Sequence, residues 1–152
     1  MSDAGLHIAI LHGPNLNLLG TREPETYGDL TLDELNALLR DDAAAAGVEL
    51  TLEQHNLEGA YVEAIQAAKR SGVAGLVLNP AAFTHTSVAI RDALLAVSLP
   101  AVEVHMSNVY AREAFRHHSM IADVVVGRVV GFGARSYRLG LQGLIEHLRR
   151  PQ

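Results

Sequence analysis

Four stretches of this chain carry uncharged groups that both donate and accept hydrogen bonds. They are His12-Gly13-Pro14-Asn15, Gln54-His55-Asn56, Asn79-Pro80 with Thr84-His85-Thr86, and His105 with Ser107. Amides, hydroxyls and imidazoles in one place suit a ligand rich in hydroxyl groups. The same residue types also form turns and helix caps, so each position taken singly reads as a turn former. Their recurrence after successive apolar runs is what points to a site.

Two further features could add charge. Arg22 and Tyr27 share the run Leu18-Leu19-Gly20-Thr21-Arg22-Glu23-Pro24-Glu25-Thr26-Tyr27-Gly28. A phenol ionises near pH 10, and a guanidinium beside it favours the phenolate, which is a base. Without that cation Tyr27 is a packing residue. The run exceeds an ordinary strand-to-helix turn of roughly 2–6 residues, and Gly20 and Gly28 flank it, so it reads as a candidate lid or a surface loop. Arg112 and Arg116 are four apart within a short polar helix expected over 111–118. There they would share a face and could clamp a carboxylate, unless Glu113 neutralises one of them. Glu103 and His105, two apart on an expected strand, share a face as well.

Composition narrows the chemistry. The 152 residues contain no cysteine, which excludes thiolate catalysis, disulfides and cysteine-held metal. Lys69 is the only lysine and falls in an expected surface helix, which leaves Schiff-base chemistry one poor candidate. No HExxH or comparable spacing occurs, so neither a metal nor another cofactor is expected. A net charge of −5 disfavours nucleic acid and anionic membranes as partners. No run is apolar enough for a membrane span and no leader is evident, so a cytoplasmic location is expected.

The elements that must hold these residues alternate strand and helix. Leu6–Leu11 is an apolar run closed by Gly13-Pro14. Thr31 and Glu34 form a capping box ahead of Leu32, Leu35, Leu38 and Leu39, and Gly47 ends that helix. Strands follow at Val48–Glu53, Val73–Leu78, Pro100–Val104 and Ala122–Val126. Helices are expected over about 58–71, after a cap at Thr84, Thr86 or Ser87, and along Tyr137, Leu141, Leu144, Ile145 and Leu148. Five strands joined by helices give an α/β doubly wound, flavodoxin-like architecture: a parallel sheet with helices on both faces, in one catalytic domain over 1–152. Ligands in such sheets bind beyond the carboxyl ends of the strands, where the polar stretches fall.

In order and spacing the polar blocks resemble the type II 3-dehydroquinate dehydratases. The matching segments are Gly13-Pro14-Asn15-Leu16-Asn17 through Arg22-Glu23-Pro24 to Tyr27-Gly28, then Asn56-Leu57-Glu58-Gly59, and Asn79-Pro80 with Thr84-His85-Thr86-Ser87 and Arg91-Asp92. Glu103-Val104-His105-Met106-Ser107-Asn108 and Ala111-Arg112-Glu113 with Phe115-Arg116 complete the set. The resemblance implies dehydration of 3-dehydroquinate to 3-dehydroshikimate, in the shikimate pathway toward aromatic amino acids or in quinate catabolism, and a dodecamer built from trimers. It implies that Tyr27 removes a C2 proton, Arg22 lowers the pKa of that tyrosine, Asn15 holds a water on the enolate-like intermediate, and His105 protonates the departing hydroxyl. Asn79, His85 and Arg116 would bind substrate hydroxyls, the backbone N–H groups of Met106 and Ser107 the carboxylate, and Asp92 would reach a neighbouring subunit's site. Departures from the family pattern are His55, Ala81, Phe83, Tyr110 and Arg135-Ser136. The competing class is a flavodoxin-like binding or regulatory domain without catalysis. The first turn lacks a Gly-rich phosphate fingerprint and the strand ends lack an acidic cluster, which disfavours it.

Overall fold

The computed structural model describes residues 5–21 and 29–151. Among them are five strands, β1 (His7–His12), β2 (Glu49–Gln54), β3 (Gly75–Asn79), β4 (Ala101–His105) and β5 (Gly127–Val130), and four α-helices. The helices are α1 (Leu32–Ala45), α2 (Glu58–Arg70), α3 (Val88–Val97) and α4 (Ala134–Arg149). All strand pairings are parallel and the order is β2-β1-β3-β4-β5. This is the flavodoxin-like α/β fold expected from the strand–helix alternation.

The three central strands, β1, β3 and β4, alternate their side chains between two cores. Ile8 and Ile10 of β1, Val77 of β3 and Val102 and Val104 of β4 pack against α1 and α4. Ala9 and Leu11, Leu76 and Leu78, and Ala101 face α2 and α3. The central strands are buried on both faces, which is why they read as continuous apolar runs. Gly140 sets the seat of α4: a Cβ there would lie 2.5 Å from Val104 Cγ1, so only glycine lets the helix come this close to β4.

Local signals hold at several ends. The capping box is complete, since Thr31 Oγ1 accepts from Glu34 N–H at 3.1 Å and Glu34 accepts from Thr31 N–H at 3.1 Å. Of the three cap candidates for α3, Ser87 takes the position and accepts from Ile90 N–H.

Two expectations are corrected. The fifth strand lies at Gly127–Val130, not Ala122–Val126. The 124–126 run stays in turn and bend, and the ladder with β4 begins only at Gly127, which sets Arg128 opposite the buried Glu103. The helix expected over 111–118 is instead two short 3-10 turns, Val109–Ala111 and Ala114–Arg116. Asn108 Oδ1 accepts from Tyr110 N–H and starts the first turn; Arg112 is extended, with φ −112° and ψ −166°, and breaks the run. Arg112 and Arg116 are therefore not one helical turn apart on a shared face.

Candidate active site

In this strand order the connections diverge between β1 and β3, and a crevice opens above their carboxyl ends. Gly13 closes its floor: its N–H donates to Asn79 O at 2.7 Å, and a Cβ there would fall 2.4 Å from Pro80 O. Gly13-Pro14 thus serves to bring the β1 and β3 ends into backbone contact. Gln54, from the end of β2, donates to Gly13 O and to Asn56 Oδ1, which in turn accepts from Asn15 N–H at 2.9 Å. Asn15 is held in the left-handed region, φ 70°, which asparagine tolerates better than most residues.

The resulting cleft is lined by Asn15, Asn79, His85, His105, Met106, Ser107 and Arg112, with apolar walls from Leu16, Leu18, Leu19 and Val109. Seven of the expected site residues therefore meet in one place. Arg116 is not among the residues that line the cleft; it is half-buried and paired with Glu113 at 2.8 Å. That bond holds the Glu113 carboxyl down to about 2. Asp92 is exposed on α3, away from this cleft. Arg22 and Tyr27 lie outside the described residues.

His105 and Glu103 form the charged centre. Glu103 is fully buried, and His105 Nε2 donates to its Oε2 at 2.6 Å. Arg128 Nη2 donates to the same carboxylate at 3.1 Å, its Nε lies 3.0 Å from Oε1, and Ser119 Oγ donates to Oε1 at 3.0 Å. Burial alone would raise the Glu103 carboxyl, but the bonds from His105 and Arg128 outweigh it and hold it below the usual range. A carboxylate only accepts, so Nε2 of His105 carries a proton; a second proton would reside on Nδ1, the nitrogen Glu103 does not engage.

His85 stacks beside this ring, with centroids 6.4 Å apart. Its Nδ1–H donates to His118 O at 2.8 Å, which leaves Nε2 as an acceptor for a ligand hydroxyl. Partial burial lowers its pKa and favours the neutral ring that this role needs.

The model of the class II dehydroquinase family matches residues 6–145. The chain belongs to that family. It is 58% identical over 144 residues to the 3-dehydroquinate dehydratase of Xanthomonas euvesicatoria pv. vesicatoria (strain 85-10), covering 95% of this chain and 97% of that protein. With the 3-dehydroquinate dehydratase of Xylella fastidiosa (strain 9a5c) it shares 57% identity over 142 residues, 93% and 96% of the two chains. The solved type II dehydroquinase of Butyrivibrio crossotus DSM 2876 superposes with a TM-score of 0.90 at 40% identity, covering 96% of this chain and 99% of that one.

Among the departures from the family pattern, Tyr110 is explained by Arg128, which donates to its hydroxyl at 2.9 Å. His55 turns to Glu53 at 3.0 Å and does not line the cleft. Ala81 does line it, in a left-handed conformation with φ 53°, which is where a glycine would be unstrained. Ser136 is buried and accepts from Phe132 N–H. Residue types at strand ends do not reveal Arg128 or Ser119 as partners of Glu103. Arg128 becomes visible only once the β4–β5 register is known, and Ser119 only once the chain folds back on Glu103 from outside the sheet.

Proposed function

We propose that this chain is a 3-dehydroquinate dehydratase acting through an enolate, with Tyr27 as base and His105 as acid. One observation carries the reading: a buried Glu103 carboxylate, paired with Arg128, holds His105 at a cleft lined mainly by neutral hydrogen-bonding groups. The family membership of the chain supports the same substrate. The cleft's donors and acceptors match a ring acid bearing several hydroxyls.

The chemistry follows from the substrate. A C2 hydrogen lies beside a ketone, so its removal by the Tyr27 phenolate places the electron pair on the ketone oxygen. Arg22 favours that phenolate. Asn15 holds a water against the developing oxyanion, and a fixed donor there contributes several kcal/mol to lowering the barrier. The enolate then reforms the ketone, a double bond forms between C1 and C2, and the C1–O bond breaks. His105, as imidazolium held by Glu103, passes its proton to the departing oxygen, which leaves as water. Solvent returns Tyr27 to phenolate and His105 to imidazolium. Asn79, His85 and Arg116 bind the hydroxyls, Met106 and Ser107 N–H groups with Arg112 bind the carboxylate, and Asp92 completes the site of an adjacent subunit in a dodecamer of trimers. Base and acid thus belong to different elements, so the lyase needs both the 22–28 segment and β4.

The test is an absorbance assay for the conjugated enone product with 3-dehydroquinate, run with chelator and no added cofactor. Turnover is expected. Tyr27→Phe should lose most of the rate while still binding substrate, and His105→Ala should slow it by about 10²–10⁴-fold. Near wild-type turnover by Tyr27→Phe would remove the base assignment.

A further inference from the structure

Behind the cleft, on the α4 side of the sheet, runs a buried polar chain of which only Asn79 has a part in the steps above. Strand alternation puts His12 and Asn79 on the same face as Ile8, Ile10 and Val77, and the seat of α4 brings Tyr137 between them. Tyr137 and His12 are fully buried. Asn79 Nδ2 donates to Tyr137 Oη at 2.9 Å, Tyr137 Oη lies 2.9 Å from His12 Nδ1, and His12 Nε2 lies 2.8 Å from Asn36 Oδ1. Asn79 Oδ1 accepts from Ala81 N–H at 3.1 Å.

The donors and acceptors fit in one direction. Asn36 Oδ1 can only accept, so His12 carries its proton on Nε2 and presents a lone pair at Nδ1. Tyr137 therefore donates its hydroxyl proton to His12, and its oxygen is left to accept from Asn79. With its Oδ1 taken by Ala81 N–H and one Nδ2 proton taken by Tyr137, the Asn79 amide cannot flip without losing both bonds. Its second Nδ2 proton and the remaining Oδ1 lone pair are the groups it can offer to the cleft, where Asn79 is already part of the lining. Unsatisfied polar groups this deep would each cost roughly 1–3 kcal/mol, so the arrangement is strongly preferred over its reverse. Burial pushes the His12 imidazole down to about 4, which keeps it neutral and able to accept at neutral pH.

We propose that Tyr137 is a positioning residue for substrate binding, fixing the amide of Asn79 through a one-way hydrogen-bond chain that ends at His12 and Asn36. This rests on the reading that Asn79 binds a substrate hydroxyl. Removing the tyrosine hydroxyl takes away one of the two bonds that fix the amide and leaves Ala81 N–H alone to hold it, so affinity falls and the chemical step is spared.

The experiment is a double-mutant cycle on KM and kcat for 3-dehydroquinate, using Tyr137→Phe, Asn79→Ala and the two together. Tyr137→Phe is expected to raise KM by about 3–10-fold, the worth of one hydrogen bond, with kcat within about twofold of wild type. Asn79→Ala is expected to raise KM at least as much, and adding Tyr137→Phe to it should raise KM no further. A purely structural role for Tyr137 would multiply the two effects, and that result overturns the proposal. Asn36→Leu, outside the cleft, is the second variant should Tyr137→Phe fold poorly. It frees the His12 tautomer and should raise KM more than about twofold in the wild-type background and not with Asn79→Ala. Unchanged KM in both Tyr137→Phe and Asn36→Leu, with an effect of Asn79→Ala, would sink the positioning role alone. Wild-type kinetics for Asn79→Ala would instead remove the ligand assignment, and the positioning role with it.

Discussion

Lowering the pH should destabilise this fold through one histidine. His12 is fully buried among Tyr137, Asn36 and the apolar side chains of β1 and α4, and its imidazole is pushed from the ordinary 6.5 down to about 4. Desolvation is the main cause; the bond to Asn36 opposes it without offsetting it. Between those two values the unfolded chain binds a proton at this residue and the folded chain does not. Stability therefore falls as pH drops through 6.5 and levels off below about 4, with no contribution from His12 above 6.5. Each pH unit in that window is worth about 1.4 kcal/mol, so the total loss comes to about 3 kcal/mol. Urea unfolding of the wild type and of His12→Gln, followed at fixed protein concentration from pH 7 to 4, isolates the effect, because all other titrating groups are common to both. The wild type should lose about 3 kcal/mol more than the variant over this range. Parallel pH curves for the two proteins would refute the assignment of a neutral, desolvated imidazole.

Two other perturbations test the scaffold. Arg128→Met leaves the buried Glu103 carboxylate without its arginine partner, and unfolding free energy should fall by about 3–5 kcal/mol in chemical denaturation; a loss under about 1 kcal/mol would show that Arg128 does not hold the charge. Gly13→Ala places a methyl group 2.4 Å from Pro80 O, so the β1 and β3 ends must separate. A loss of about 1–3 kcal/mol in stability and a marked fall in turnover are expected, measured by thermal unfolding and the enone assay.

Much of the architecture could be read from the chain because short-range physics specifies it. The Thr31–Glu34 box, the apolar runs of β1 and β3 and the stripe on α4 each state their own structure locally. The polar residues after those runs converge because parallel strands end on one side of the sheet. The fifth strand is not legible locally, because the apolar residues 124–126 precede it and its register sets Arg128 against Glu103, a cross-strand pair that no local pattern contains. The broken 109–116 segment is set by the Asn108 side chain and an extended Arg112, against a sequence whose composition favours a helix. His12 stood with the strand-end polar groups, yet a period of two turns it from the cleft toward α4, where Tyr137 awaits it. Tyr137 itself looked like one more apolar position on a helix stripe; its hydroxyl partners come from β1 and β3, more than fifty residues away.

The division of labour between Tyr27 and His105 is tested most directly by hydrogen exchange at C2 of 3-dehydroquinate in D2O, followed by proton NMR and corrected for the enzyme-free rate. If the tyrosine forms the enolate and the histidine only releases the hydroxyl, His105→Ala will put deuterium at C2 faster than it makes enone, and Tyr27→Phe will do neither. Exchange by Tyr27→Phe at the rate of His105→Ala would contradict that assignment.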